Sequence, residues 1–356
     1  MRFGYRGSIG AVVLVVAVLT LSPRLVAQQV TEATSQPSSR ETPRTPWGDP
    51  DLEGIWNSMV TIPFQRLLPG EKPPANDDGP ELGAAGNTPV LKDLLGNPTY
   101  QRATGNGPEH WYEYGLNVPT NQTSLVIDPE NGRIPPMTPE AQERRRKYDE
   151  SMAGVPKDEP KPGGWLEDAD PWVRCITRGL PGMFDPTTTG YNMNFLITQG
   201  PGWVAILSEM IHETRIIPLD DRPALPSDVR QLLGDSRGRW EGNTLVIETT
   251  NFDPKMHGLW QERSWYGTPN TRVIERYTRV DENTIDFQFT IDDPTQYTRP
   301  WTVAIPWRKD NAPDRILEYG CHEGNYGLAN ILSGARARDR AAAEKASAAQ
   351  TAGSNR

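Results

Sequence analysis

Apolar and polar side chains alternate with a period of two along several short segments in the C-terminal half of the chain. The clearest segment is 285–291, where Ile285, Phe287, Phe289 and Ile291 are separated by single polar residues. Short turn-forming stretches such as 281–283 divide these segments. Because consecutive strands joined by short turns pair antiparallel, the pattern predicts an antiparallel meander. About seven or eight such strands would form a barrel or a sandwich.

Composition supports a mainly β fold with long N-terminal loops and a C-terminal helix. Glycine and proline make up 32 and 34 of the 356 residues, about 19% together, against ~12% in an average protein. This frequency disfavours helical bundles, and the absence of helices between the strands disfavours a doubly wound parallel sheet. Thr138 and Pro139 are typical of a helix start and predict a short helix to about residue 152,. An Ala-rich segment, 325–349, predicts a terminal helix.

The N-terminus has the pattern of a secretory signal peptide. Arg2 and Arg6 precede an apolar run of 13 residues, 9–21, which is too short to span a bilayer comfortably,. A small residue, Ala27, predicts cleavage at this position, and we therefore expect a periplasmic or secreted protein without stable membrane insertion,. We expect four segments: a signal peptide at 1–27, a disordered leader at 28–46, a single β-rich domain at 47–335, and a charged, Ala-rich tail at 336–356.

Two cysteines, Cys175 and Cys321, are present in the chain. An even number of cysteines in an oxidising compartment is compatible with a disulfide. Two buried free thiols are the alternative, and the sequence does not decide between them.

Charge and motifs exclude several function classes. The formal net charge is −9, which argues against nucleic acid as a partner because phosphate binding needs a basic face. The chain has no Gly-x-Ser-x-Gly nucleophile elbow and no phosphate-binding glycine-rich loop before a helix,. The sequence predicts no cofactor.

Five sequence blocks resemble those of a widespread group of exported bacterial proteins. They are Pro46-Trp47-Gly48-Asp49-Pro50-Asp51-Leu52, the long block GDSRGRWEGNTLVIET at 234–249, RYTRVD at 276–281, DDPTQYTRPW at 292–301 and CHEGNYG at 321–327. Asn243 stands where the pattern has Asp. The resemblance extends from about residue 46 to 336. It implies export and a single domain, and it implies no particular reaction.

Four histidines are the scarce groups suited to proton transfer near neutral pH,. His212 lies near Glu209, and His322 is followed by Glu323. In an extended chain Glu209 and His212 would point to opposite faces, whereas a bulge would change that relation. We expect His212 to act as general base, Glu209 as its partner acid, and His322 with Glu323 as a second acid–base or binding group.

Polar and aromatic residues of the β region are candidates for the wall of a ligand site. Aromatic rings suit stacking on sugars or enclosing an apolar molecule, and they equally suit a core poor in aliphatic residues. The predicted ligand-binding residues are Tyr191, Asn194, Asp235, Trp240, His257 and Trp260.

The sequence therefore predicts an exported protein that handles a small organic molecule. One interpretation is a lyase, isomerase or hydrolase that uses a His/carboxylate pair for acid–base chemistry. The alternative is a non-catalytic periplasmic binding module for an apolar or carbohydrate ligand. A divalent metal held by histidines and a carboxylate is a further option, although the spacings match no short metal motif. A purely structural role for the histidines also stays open.

Overall fold

The computed structural model describes residues 42–60, 62–70, 90–92, 98–100, 121–155, 160–169, 171–184, 192–253, 268–310 and 312–354. Residues 41–356 form one compact unit. The expected signal peptide, most of the expected leader, and the candidate residues Tyr191, His257 and Trp260 lie outside the described residues.

The described residues form twelve strands and two α-helices. The strands are β1 (Gly54–Asn57), β2 (Val90–Lys92), β3 (Pro98–Tyr100), β4 (Val126–Asp128), β5 (Asn194–Gly200), β6 (Trp203–Ser208), β7 (Glu213–Pro218), β8 (Asp235–Glu241), β9 (Thr244–Thr250), β10 (Arg272–Arg279), β11 (Thr284–Asp292) and β12 (Trp301–Arg308). The helices are α1 (Pro139–Ser151) and α2 (Tyr326–Ser354). Short 3₁₀ turns occupy Leu166–Asp168, Gly182–Phe184 and Met210–His212.

Ten strands form one antiparallel sheet, which confirms the predicted mainly β fold. The strand order is β7-β6-β5-β1-β12-β11-β10-β9-β8, and β4 pairs with β12 beside this path. Strands β5 to β7 and β8 to β12 each pair with their neighbours in sequence, whereas β1 is inserted between β5 and β12. Strands β2 and β3 form a separate hairpin. In the described sheet β7 and β8 are the two ends and are not paired with each other, so the architecture is that of a sandwich or an open barrel.

The two ends of the sheet nevertheless approach each other closely. A Cβ atom on Gly238 of β8 would lie 2.6 Å from Leu219 and 2.8 Å from Ile217, at the end of β7. Real Cβ atoms do not make contacts this short. A side chain at position 238 would have to displace Leu219 and Ile217, so glycine favours the close approach of β8 to β7,.

Alternation places one face of each strand in a shared core. Along β11, Ile285, Phe287 and Phe289 are fully buried, and Phe287 lies opposite Ile305 of β12 and Tyr277 of β10. The intervening polar residues are partly exposed. The period of two in the sequence thus corresponds directly to the buried face.

Phe184, in a connecting turn, fills the interior that the strands enclose. Its ring centroid lies 4.7 Å from that of Phe287, 5.7 Å from Phe195 and 5.9 Å from Trp307. All three residues of the Gly182–Phe184 turn are buried. These aromatic rings pack against one another and form part of the hydrophobic core.

Helix α1 begins and ends close to the predicted residues, whereas α2 extends beyond its predicted end at 349. The Thr138 hydroxyl accepts a hydrogen bond from the Ala141 backbone N–H, which caps α1,. Helix α2 continues to Ser354 through residues that we expected to form a tail. No helix among the described residues is long and apolar enough to cross a bilayer.

Residues 316–320 form no strand, although the sequence of this run is compatible with a short one. The backbone N–H of Leu317 donates to the carboxylate of Glu209. A side chain therefore takes the place of a strand partner for this backbone group.

Replacing Phe184 with Ala should lower the free energy of unfolding by about 3–5 kcal/mol, because a buried ring would leave a cavity. Urea denaturation monitored by tryptophan fluorescence measures the change. Ile216→Ala on the outer face of β7, where the side chain is 71% exposed, is the control and should cost less than about 1 kcal/mol. Equal losses for the two variants would contradict the packing role of Phe184.

Candidate functional site

In the turn between β6 and β7, two successive non-glycine residues adopt left-handed backbone angles. Ile211 has φ 62° and ψ 8°, and His212 has φ 47°. Two successive non-glycine residues in the left-handed region cost about 1–3 kcal/mol each. Hydrogen bonds from Glu209 N–H to the Asn194 carbonyl (2.9 Å) and from His212 N–H to the Glu209 carbonyl (3.0 Å) hold the turn. The turn buries Glu209 and directs His212 to solvent.

Glu209 belongs to a buried hydrogen-bond chain. Its Oε2 accepts from the Asn194 side-chain amide at 2.6 Å, and its Oε1 accepts from the Leu317 N–H at 3.2 Å. The Asn194 side-chain carbonyl in turn accepts from the Asn57 amide at 2.7 Å. Glu209 is 2% exposed and Asn194 is 4% exposed. The structure thus brings two predicted site residues together, but the Glu209 carboxylate bonds to amides and not to the His212 ring.

The His212 ring is oriented by a backbone carbonyl. Its Nδ1 lies 3.2 Å from the carbonyl oxygen of Tyr319. Because a carbonyl only accepts, Nδ1 carries the proton of this bond and a neutral ring has its lone pair on Nε2. His212 is exposed, so Nε2 is the nitrogen suited to accept a proton.

A disulfide between Cys175 and Cys321 connects the loop before β5 to the segment after β12. This is the segment whose Leu317 and Tyr319 contact the turn between β6 and β7. The side-chain amide of Asn325 reinforces the connection by donating to the Val173 carbonyl at 3.3 Å. The sequence left the pairing of the two cysteines open, and the structure contains the disulfide.

The second predicted acid–base group lies on this cross-linked segment. His322 comes three residues after Tyr319, whose carbonyl contacts the His212 ring, and both His322 and Glu323 are exposed. This segment therefore places His322 in the same part of the surface as His212.

Glu213, directly after His212, is the titratable group that sequence reasoning passed over. Its carboxylate accepts hydrogen bonds from the Thr177 hydroxyl and the Arg178 backbone N–H. Burial raises the pKa of Glu213 above its usual value, and these two hydrogen bonds oppose the shift only in part,. Its Oε2 atom is buried and has no hydrogen-bond donor among the described residues.

A buried ion pair lies beside Glu213 on the same face of β7. The Arg215 guanidinium donates to both oxygens of Glu275 on β10, at 2.9 and 2.7 Å, and the Tyr277 hydroxyl donates to Glu275 at 2.7 Å. Arg215 also donates to Ser236 of β8 at 3.3 Å. The side chains of Arg215 and Glu275 are 3% and 0% exposed. The group therefore joins β7, β8 and β10 inside the molecule.

Burial and charge shift the pKa values in this group. Burial of Arg215 by itself would lower its pKa, but the charge and hydrogen bonds of Glu275 outweigh burial and raise it. Burial, followed by the Glu275 charge, raises the pKa of Tyr277 well above its usual value. The arginine therefore stays charged and the phenol stays protonated, so Tyr277 is a donor to Glu275.

The two predicted ligand-binding residues on β8 make other contacts. Asp235 accepts from the Leu225 N–H at 2.9 Å and pairs with Arg237 at 2.9 Å, so it anchors the loop before β8. Trp240 is partly buried and packs against the hydrophobic core. Neither residue is bonded to the turn at 209–213.

The described residues contain no group of three or more His, Cys, Asp or Glu side chains that could hold a metal ion. No family model, no curated protein and no solved structure matches the chain. The residues around the turn between β6 and β7 are therefore the candidates for chemistry.

Replacing Glu213 with Gln should change how stability depends on pH. The pKa of Glu213 is raised in the folded state, so its protonated form stabilises the wild-type fold. This contribution to the free energy of unfolding is fully present below pH 4.5 and is lost as the pH rises through the folded pKa,. The stability of Glu213→Gln relative to wild type should therefore increase with pH above 4.5, by at most about 1.4 kcal/mol per pH unit. Urea melts between pH 4 and 8 measure the difference.

The exposed Glu323→Gln variant provides the matched control for this series. Its stability relative to wild type should change less with pH than that of Glu213→Gln. A relative stability of Glu213→Gln that falls as the pH rises would contradict the assignment of Glu213 as a carboxyl shielded from water.

Proposed function

We propose that this protein is exported and acts on a small organic molecule beside the turn between β6 and β7, with His212 and Glu213 as an acid–base pair. The observation that carries the proposal is the environment of these two consecutive residues. His212 presents a ring nitrogen to solvent, and Glu213 holds a shielded carboxyl oxygen that has no donor among the described residues.

Glu213 replaces Glu209 as the carboxyl partner in this proposal. Both oxygens of Glu209 already accept hydrogen bonds, from Asn194 and from the Leu317 backbone. One oxygen of Glu213 is unoccupied by protein donors in the described part of the chain. A carboxyl whose protonated form is favoured by burial suits a general acid, and an exposed imidazole suits a general base.

The backbone of the turn supports a functional interpretation. Strained conformations persist when the surrounding structure enforces them, and they concentrate at active sites and ligand-binding sites. Here two strained residues, Ile211 and His212, are held by hydrogen bonds to Glu209 and by the contact to Tyr319. His322, on the cross-linked segment, is the proposed second acid–base or binding group.

Export is supported by two independent features. The first 27 residues have the charge and length pattern of a signal peptide,. The Cys175–Cys321 disulfide is typical of proteins in oxidising compartments such as the periplasm,.

A non-catalytic binding module is the second candidate, and exposed apolar side chains favour it. Leu317 is 56% exposed and Tyr326 is 77% exposed, and both flank the disulfide at Cys321 in sequence. Ile176, next to Cys175, is 37% exposed. Such a surface suits an apolar or carbohydrate ligand that is held without chemical change.

A ligand screen followed by product analysis tests the proposal. Small molecules that raise the melting temperature of the purified protein would be incubated with it and followed by NMR. His212→Ala and Glu213→Gln should each lower the conversion rate by about 10²–10⁴-fold while ligand binding is retained. Glu344→Gln on the exposed part of α2 is the control and should convert at the wild-type rate.

Unchanged conversion by both His212→Ala and Glu213→Gln would remove these residues from the mechanism. Ligand binding by wild type without any conversion would favour the binding module over the enzyme.

A further inference from the structure

Two buried polar atoms on the inner face of β7 have no hydrogen-bond partner among the described residues. They are Nε of Arg215, whose other two nitrogens are bonded to Glu275 and Ser236, and Oε2 of Glu213. The Arg215 side chain is 3% exposed. Residues 213 and 215 are two positions apart in one strand, so their side chains lie on the same face. One atom is a donor and the other is an acceptor.

Leaving such atoms unsatisfied is costly. Each buried donor or acceptor without a partner destabilises a folded protein by about 1–3 kcal/mol. Native proteins leave few such groups, and those that exist call for a bound water, a ligand or a catalytic role. A donor and an acceptor side by side can both be satisfied by a single oxygen that carries a hydrogen.

The hydrogen-bonding roles of these two atoms select the chemical class of that oxygen. A carboxylate has only acceptor oxygens, so it could accept from Arg215 Nε–H but could not donate to Glu213 Oε2. An ammonium group would be placed next to the Arg215 guanidinium and could not accept from its Nε–H. A neutral hydroxyl accepts from Nε–H and donates to Oε2, and it can also accept from Glu213 if that carboxyl is protonated.

Aromatic rings and a thioether lie near these polar groups, because the Arg178 guanidinium also contacts the Met210 sulfur at 3.3 Å. The Arg215 guanidinium lies 5.9 Å from the centroid of the Phe184 ring, and Met210 is 3% exposed. The Arg178 guanidinium stacks at 4.1 Å over the Trp172 ring. A ligand that reaches Glu213 and Arg215 would thus meet rings and a thioether around its polar group.

We propose that Glu213 and Arg215 form a binding site for the hydroxyl group of a neutral, ring-bearing small molecule. This inference deepens the proposed function and rests on it, because it names the substrate class of the same site. The hydroxyl bridges Arg215 Nε–H and Glu213 Oε2, and the ring of the ligand lies against apolar side chains.

Three probes that differ only in their polar group test the proposal. Benzyl alcohol, benzoate and benzylamine would be compared by thermal shift and by saturation-transfer NMR on the purified protein at pH 7. Benzyl alcohol at about ten times its Kd should raise the melting temperature by at least about 2 °C. Benzoate and benzylamine should bind at least tenfold more weakly or not at all.

Matched variants locate the bound group. Glu213→Leu removes the acceptor and should weaken benzyl alcohol binding by about tenfold or more. Glu213→Gln keeps an amide that can form a hydrogen bond with the hydroxyl, so this variant should bind the alcohol within a few-fold of wild type. Thr177→Val removes a hydrogen bond to the other Glu213 oxygen, leaves Oε2 in place and is the control, so it should bind the alcohol within a few-fold of wild type. Should Glu213→Leu not fold, the ranking of the three probes on the wild-type protein still decides the proposal.

Three results would overturn this inference: stronger binding of benzoate or benzylamine than of the alcohol, no shift with any probe, or full alcohol binding by Glu213→Leu. The outcome is distinguishable from failure of the proposed enzyme activity. Binding of the alcohol without chemical conversion of any ligand supports the hydroxyl site and removes only the catalytic role.

Discussion

The bidentate contact between Arg215 and Glu275 is the interaction on which the rest of the structure depends. Strand β7 lies at one end of the sheet and β8 at the other, and no backbone ladder joins them in the described residues. The Arg215 guanidinium spans this gap, because it bonds to Glu275 of β10 and to Ser236 of β8. Gly238 permits the same approach by lacking a side chain.

Burying this ion pair is expensive unless its hydrogen-bonding capacity is used. Removal of two charges from water costs several kcal/mol per ion, and good geometry offsets that cost. Here the two Arg215–Glu275 bonds and the Tyr277 hydroxyl supply the geometry. We take the pair to fix the position of β7 against β10 and β8, which an apolar contact would specify less strictly.

The fixed position of β7 determines what the preceding turn presents. Glu213 shares the inner face with Arg215 and its Oε2 atom is buried, whereas His212 in the turn is exposed. The disulfide and the Glu209–Leu317 bond then hold the segment that orients the His212 ring. A rigid strand and a cross-linked segment together place one exposed imidazole beside one shielded carboxyl.

Local patterns in the sequence predicted much of the fold, and long-range pairing was not predictable. The alternation in 285–291 and the Thr138–Pro139 signal gave β11 and the start of α1, because both depend on neighbouring residues. The insertion of the four-residue β1 between β5 and β12 depends on partners over 130 residues away in sequence. No local signal encodes that pairing.

The candidate site was predicted in part for the same reason. His212 and Glu209 attracted notice by residue type, but the turn that separates their side chains arises from an unusual backbone at Ile211. Glu275 alternates with Val273 and Tyr277 on one strand face, and the folded sheet buries all three. Its partner Arg215 is 60 residues away, and only the register of the folded sheet brings the two together.

A double-mutant cycle on Arg215 and Glu275 tests the central claim most directly. Arg215→Met and Glu275→Gln should each lower the free energy of unfolding by about 3–5 kcal/mol, and the double variant should lose clearly less than the sum. The exposed pair Arg276–Glu241, treated in the same way, should show coupling of about 1 kcal/mol or less. Additive losses at Arg215 and Glu275, or losses as small as those of the surface pair, would contradict the account.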